Sequence, residues 1–243
     1  MNISNNTILI TGGATGIGLA LVEKLEETNK IIICGRRENK ILEVKKRFPN
    51  IHIKVCDLQN QEQRIELVEW LLQNHSDINI LINNAGIQRE INFLKNNILE
   101  DLTRETEINL IAPVHLCSLL ISHLKSKANA AIINVSSGLA FTPLAFMPMY
   151  CATKAALHSF CLSLRHQLSK TNIKVFEIIP PTVDTELDQG RRDRNQQSNR
   201  GISADECASQ ALEAIKNDIY EAAIGSAVNL RLKREEMFGN LNH

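Results

Sequence analysis

A parallel sheet with helices on both faces is the fold this sequence predicts, and three observations predict it. Short β-branched runs alternate with helical stretches of ten or more residues along the chain. The runs are continuously apolar, as strands buried on both faces must be. Hydrophobic residues make up 44% and charged residues 22%, the balance of a globular chain with material for a large core. Right-handed crossovers between such units give an α/β, doubly wound sheet of about seven strands.

Taken in order, Thr7–Ile10 is the first strand, and a glycine-rich turn leads into a helix over 16–28. Lys30–Cys34 is the second strand, with a helix over 38–48. His52–Cys56 is the third, with a helix over 61–74. Ile78–Ile82 is the fourth, and a long apolar periodicity predicts one helix from about Leu99 to Leu124. Ala131–Val135 is the fifth strand, followed by a helix over Met149–Lys170. Lys174–Ile179 is the sixth, stopped by Pro180-Pro181, which cannot continue a central strand. A helix over 203–217 and a strand over 221–224 complete the set. No repeat, linker or low-complexity tract divides the chain, so 1–243 reads as one domain. The break in composition is Asp188–Arg200, which holds Arg191, Arg192, Arg194, Arg200 and no apolar residue. The segment 186–203 therefore reads as a mobile substrate loop at the surface, one able to receive an acidic substrate.

Charge and composition exclude several classes. Lys and Arg number 27 and Asp and Glu number 27, a balance that argues against a nucleic-acid or anionic-membrane partner. The N-terminus has no basic region before an apolar run, and no stretch approaches the ~20 apolar residues of a membrane span. The six cysteines are scattered and form no C-x-x-C pair, as expected of small buried hydrophobes in a reducing cytoplasm. His115 and His123, like His158 and His166, join no Cys or carboxylate cluster in sequence, so no metal site is expected. Trp70, the only tryptophan, reads as a core anchor.

Two motifs carry chemistry. Tyr150 and Lys154 are four residues apart on a predicted helix, and i, i+4 side chains share one face. A tyrosine needs a shift of ~3 pKa units, roughly 4 kcal/mol, to ionise near neutral pH. One cation at ~4 Å supplies about that at an effective dielectric of ~20, so the pair can act as a general acid and base. The second motif is Thr11-Gly-Gly-Ala-Thr-Gly-Ile-Gly18, between the first strand and the first helix. Its glycines permit a tight turn and a close approach of backbone to a pyrophosphate, which a helix N-terminus attracts. This marks a Rossmann-type, dinucleotide-binding sheet. Strand two ends Cys34-Gly35-Arg36-Arg37, with no acid to receive a ribose 2′-hydroxyl and two guanidiniums suited to a 2′-phosphate. NADP(H) is the expected cofactor, with NAD the lesser candidate. Asp57, after strand three, either accepts from adenine or caps the next helix.

In these motifs the chain resembles the short-chain dehydrogenase/reductase family over nearly its whole length. The likeness is closest to a bacterial subgroup, through Asn6–Gly13, Cys34–Arg36, Ala112–His115, Tyr150–Ala155 and Pro180–Thr185. The resemblance implies a serine thirteen positions before the tyrosine, hence Ser137 rather than Ser136. It also implies that Lys154 binds the nicotinamide ribose and that Asn109 holds a water in the proton path. The cofactor-binding set it implies begins with Gly12, Ala14, Thr15, Gly16, Ile17 and Gly18 in the loop. Arg36, Arg37, Asp57 and Leu58 follow, then Asn84, Ala85 and Gly86 of the Asn-Asn-Ala-Gly element. Tyr150, Lys154, Pro180, Val183 and Thr185 complete it. The chain departs from the family where Pro181 stands in place of a glycine, which removes a backbone N–H and fixes φ near −65°. The implied activity is hydride transfer between NADP(H) and a carbonyl or secondary alcohol, by a homodimer or homotetramer. The implied catalytic residues are Ser137, Tyr150, Lys154 and Asn109. A non-catalytic nucleotide sensor would need only the glycine loop and strand-two residues. An epimerase would need a larger region after Ile179. Gln88, Leu139, Phe146 and the 186–203 loop are the expected pocket walls.

Overall fold

The computed structural model describes residues 1–94, 98–187 and 201–242. Seven parallel strands form one sheet in the order β3-β2-β1-β4-β5-β6-β9. These are β1 (Thr7–Thr11), β2 (Lys30–Gly35), β3 (His52–Val55), β4 (Ile80–Asn83), β5 (Ala130–Val135), β6 (Ile173–Ile179) and β9 (Glu221–Ala223). The order reverses between β1 and β4, which opens a crevice at the carboxyl ends of the strands. A two-stranded ribbon, β7 (Val183–Asp184) with β8 (Ile202–Ser203), stands apart from the sheet.

Continuous apolar runs are buried on both faces because strand side chains alternate. Ile8 and Ile10 enter one core cluster with Ile31 and Ile33, whereas Leu9 and Ile32 enter the other. All six are at most 1% exposed, and burying each such side chain contributes about 1.5–3 kcal/mol. Helices α1 (Gly16–Leu25) and α2 (Glu38–Arg47) cover the first face, joined later in the chain by α7 (Ala204–Lys216). Helices α3 (Gln61–Asn74), α5 (Ala112–Leu124) and α6 (Pro148–Gln167) cover the second.

Several element boundaries differ from the sequence reading for identifiable reasons. Helix α1 stops at Leu25 because Asn29 Nδ2 bonds the Leu25 carbonyl and ends the ladder. The predicted 99–124 helix is α4 (Leu99–Thr106) and α5 joined by a π-helical turn over Glu107–Ile111, centred on Asn109. By length and composition this 26-residue stretch is apolar enough to cross a membrane, contrary to the expectation that nothing approaches a span. Its Leu116, Cys117, Leu120 and Leu124 are instead at most 1% exposed and packed against the sheet, as in a core helix. Trp70 is half-buried and packs against the second core cluster, with Lys54 5.5 Å over its ring. A helix α8 (Ala227–Lys233), two short helical turns over Arg234–Leu241 and the β7–β8 ribbon were not predicted. The arginines from Arg191 to Arg200, with the rest of 188–200, lie outside the described residues.

Candidate active site

The crevice at the carboxyl edge of the sheet has a volume of about 1180 Å³. Its floor begins at the turn after β1. Gly12 and Gly16 have φ of +65° and +55°, a left-handed backbone that side chains other than glycine's resist. Gly18 does not line the crevice but stands behind it, where a Cβ would fall 2.3 Å from the Gly12 carbonyl oxygen. The loop is buttressed from β4: Asn84 Nδ2 donates to the carbonyls of Thr11 and Gly12, and Thr11 Oγ1 accepts from the N–H groups of Asn84 and Ala85. Thr185 closes the turn from the other side, since a Cβ on Gly16 would lie 3.0 Å from its Cγ2.

At the β2 end, Arg36 and Arg37 both line the crevice. Arg37 reaches across its mouth, donating to Glu186 Oε2 at 2.7 Å and to Thr15 Oγ1 at 3.1 Å. Asp57 and Leu58 also line it. Asp57 does not cap the next helix: Asn60 does, accepting from the Gln63 N–H. The Asp57 carboxylate instead accepts from the Gln59 N–H. Beneath Leu58, buried Arg64 donates to the Leu58 carbonyl, His115 Nδ1 and Glu107, tying this wall to the π-helical turn and α5.

Tyr150 and Lys154 share one face of α6 and line the same crevice. Lys154 Nζ lies 5.7 Å from the centre of the Tyr150 ring and donates to the Val135 carbonyl at 2.9 Å. Burial pulls the Lys154 ammonium down to about 8, opposed by Cys161 and Glu177. The adjacent serines part company. Ser136 donates its hydroxyl to Glu177 Oε1 at 2.5 Å, into the sheet. Ser137 caps the short turn Gly138–Ala140, and its Oγ accepts from the Leu139 N–H, which leaves the hydroxyl hydrogen to donate. Asn109 is fully buried and does not line the crevice. It bonds both backbone groups of Ile87 and donates to Thr153 Oγ1. A Cβ on Gly86 would nevertheless lie 3.3 Å from Asn109 Oδ1 and 3.6 Å from Lys154 Nζ, so Asn109 backs the crevice wall where Gly86 and Lys154 line it.

After β6 the double proline is held without the missing donor. The Gly138 N–H donates to the Pro180 carbonyl, and the β7–β8 ribbon fixes Val183 through Ile202. All the sequence-selected cofactor residues except Gly18 line the crevice. Phe146 does not line it, while the unpredicted α8 supplies Asn229 and Leu230 and the turns after it supply Met237 and Leu241. His158 also departs from expectation: with Glu177 and Glu221 it forms a cluster whose ligand atoms lie within 4.8 Å of one another.

A glycine cradle at the switch point of a parallel sheet, facing a Tyr-x-x-x-Lys helix, defines an oxidoreductase class. The chain belongs to the short-chain dehydrogenase/reductase family: a model described as short chain dehydrogenase matches residues 6–196. It is 51% identical over 225 residues to the uncharacterized oxidoreductase DltE of Bacillus subtilis strain 168, covering 91% of this chain and 88% of that one. This is the bacterial subgroup whose likeness the sequence carries. Among solved structures, a short-chain dehydrogenase from Burkholderia cenocepacia in complex with NADP superposes with a TM-score of 0.83 at 27% identity, covering 96% and 94% of the two chains. L-sorbose reductase from Gluconobacter frateurii, complexed with NADPH and L-sorbose, gives 0.78 at 25% identity, covering 88% and 90%. A Burkholderia phymatum relative in complex with NAD gives 0.87 at 19%, over 100% and 98%, a likeness of fold alone.

Proposed function

We propose that this chain is an NADP(H)-dependent oxidoreductase that interconverts a carbonyl and a secondary alcohol on a small molecule. The observation that carries the reading is that Tyr150, Lys154, Ser137 and both Arg36 and Arg37 line one crevice. Its floor fits a dinucleotide, because Gly12 and Gly16 hold a left-handed turn packed against Asn84, Ala85 and Thr185 that leaves bare backbone facing the crevice. In this reading the loop from Gly12 to Gly18 and the α1 N-terminus receive the pyrophosphate. Arg36 and Arg37 take the 2′-phosphate, Asp57 and Leu58 flank adenine, and Asn84, Ala85 and Gly86 back the adenosine side. Lys154 takes the nicotinamide ribose, and Pro180, Val183 and Thr185 take the carboxamide. When bound, the nicotinamide supplies or accepts the hydride. Ser137 donates to the carbonyl oxygen. Tyr150 gives that oxygen a proton in reduction and recovers it in oxidation. The Lys154 ammonium lowers the cost of the phenolate, and Asn109 with a water connects Lys154 to solvent.

The complexes of similar structures with NADP and NADPH support the phosphate assignment. Six buried, unpaired cysteines support a reducing cytoplasm. Exposed Leu99, Ile111 and Leu162 on the helices around the site support a homodimer or homotetramer. The test is a panel of carbonyl compounds followed by NADPH absorbance, with NADH in parallel. A higher kcat/KM with NADPH is expected, and a preference for NADH overturns the phosphate assignment. Tyr150→Phe should bind cofactor normally and lose about 10²–10⁴-fold in kcat. Retained turnover overturns the tyrosine mechanism.

A further inference from the structure

Glu177 is a buried carboxylate at an inner position of β6, between Phe176 and Ile178, where the sequence pattern calls for an apolar residue. A charge taken fully out of water is costly unless paired and hydrogen-bonded. Here it is held from several sides. Ser136, just after β5, donates to Oε1 at 2.5 Å. His158, from α6, places Nδ1 2.7 Å from Oε2. From β9, Glu221 lies directly across in register, with Arg231 of α8 bonded to it at 2.6 Å. Its charge in turn acts on Lys154 and Cys161, on the same helix as His158. Tyr150, Lys154 and His158 follow one another at i, i+4 and i+8, so one stripe of α6 joins the crevice to this network. The donor set resembles a metal centre only in composition. Ser136 already occupies Glu177 and the Arg231 guanidinium occupies Glu221, so a cation would have to displace both.

We infer that Glu177 is a positioning residue for the crevice: it fixes Ser136, and through it Ser137, and supplies the buried negative charge that keeps Lys154 protonated. Two further observations carry this. Ser136 and Ser137 are consecutive at the end of β5, where the chain leaves the sheet, so anchoring one hydroxyl sets the direction of the next. Of the two groups that oppose the effect of burial on Lys154, the Cys161 thiol is itself pushed well up by burial and is uncharged at neutral pH. The Glu177 carboxylate, held 2.7 Å from His158 one helical turn beyond Lys154, is then the counter-charge.

The inference rests on the proposed roles of Lys154 and Ser137, and its test reads Lys154 without turnover. Competitive labelling with acetic anhydride across neutral to alkaline pH, followed by mass spectrometry of the Lys154 peptide, gives the midpoint of Lys154 ionisation. Glu177→Gln keeps the shape and removes the charge. Its midpoint should fall by about one pH unit, tenfold less ammonium at a given alkaline pH, and Glu177→Asp should restore it. An unchanged midpoint in folded Glu177→Gln overturns the counter-charge. If Glu177→Gln does not fold, His158→Gln, which leaves the carboxylate, should hold the midpoint at or above that of the wild type, and a fall overturns the inference. Ser136→Ala should leave the midpoint in place and lower kcat/KM for the best carbonyl at least several-fold. Unchanged kcat/KM overturns the positioning of Ser137. Retained turnover in Tyr150→Phe would instead sink the enzyme reading and leave the labelling result standing.

Discussion

At Lys154 two demands conflict. The proposed chemistry needs a cation one turn from Tyr150, yet burial pulls the ammonium down to about 8. Because the pKa is lowered, the charge is present below that value and lost as pH rises through it. Alcohol oxidation should therefore show a kcat/KM that declines on the alkaline side of about 8, measurable as a pH profile. Glu105 behaves in the opposite sense. Burial raises its carboxyl to about 7, against the pull of the Arg89 backbone and guanidinium. The folded state holds that proton over a range where the unfolded chain has released it, so stability is lost as pH rises from about 4.5 to about 7. Glu105→Gln should raise the Tm at pH ~8, corresponding to about 1–3 kcal/mol, and change it little at pH ~5. At this scale the sequence was legible where partners are close along the chain. Tyr150 and Lys154 face together because a helix brings i and i+4 together. The His158–Glu177–Glu221 cluster was not legible, since α6, β6 and β9 meet only through the sheet order and the register Glu177↔Glu221.

Among elements, the glycine turn and the turn carrying Ser137 are the two whose shape the crevice depends on. Gly18→Ala would place a Cβ 2.3 Å from the Gly12 carbonyl and 2.5 Å from Asn84 Nδ2. The loop must shift off its buttress, so NADPH binding, followed by fluorescence, should weaken by more than about tenfold. The Ser137 turn is packed against a helix that the sequence concealed. A Cβ on Gly138 would meet Leu230 Cδ1 at 2.9 Å and Ala227 Cβ at 3.1 Å. Leu230→Ala should loosen this contact at a cost of about 2–3 kcal/mol and raise KM more than it lowers kcat, because Leu230 also lines the crevice. Strands and long helices were readable because their apolar runs are continuous and both faces are covered. Helix α8 has only seven residues and no side-chain cap, so no local pattern exceeded that of a loop. The π-helical turn was equally silent, since its cause, Asn109 bonding the Ile87 backbone, is tertiary.

Over the whole molecule, the reversal of strand order between β1 and β4 decides where everything else collects. Loops from β1, β2, β4, β5 and β6 converge on the same edge, which is why motifs more than a hundred residues apart line one crevice. That convergence was legible from the alternation of strands and helices. The substrate was not, because the walls that would select it include the C-terminal turns. Replacing both arginines, Arg36→Ala with Arg37→Ala, should raise KM for NADPH at least tenfold and leave KM for NADH within about threefold, as charge-assisted phosphate contacts are worth roughly 1.5–3 kcal/mol. One contact across the mouth has a kinetic consequence. Arg37 is held by Glu186, and both side chains are nearly half exposed, so the pair is weak and easily exchanged. In the proposed reading, the 2′-phosphate of the coenzyme competes with that carboxylate for the same guanidinium. Glu186 would then leave Arg37 only once the coenzyme has bound. Initial-rate and product-inhibition patterns should accordingly follow compulsory order, coenzyme first on and last off, and Glu186→Gln should relax that order toward random addition.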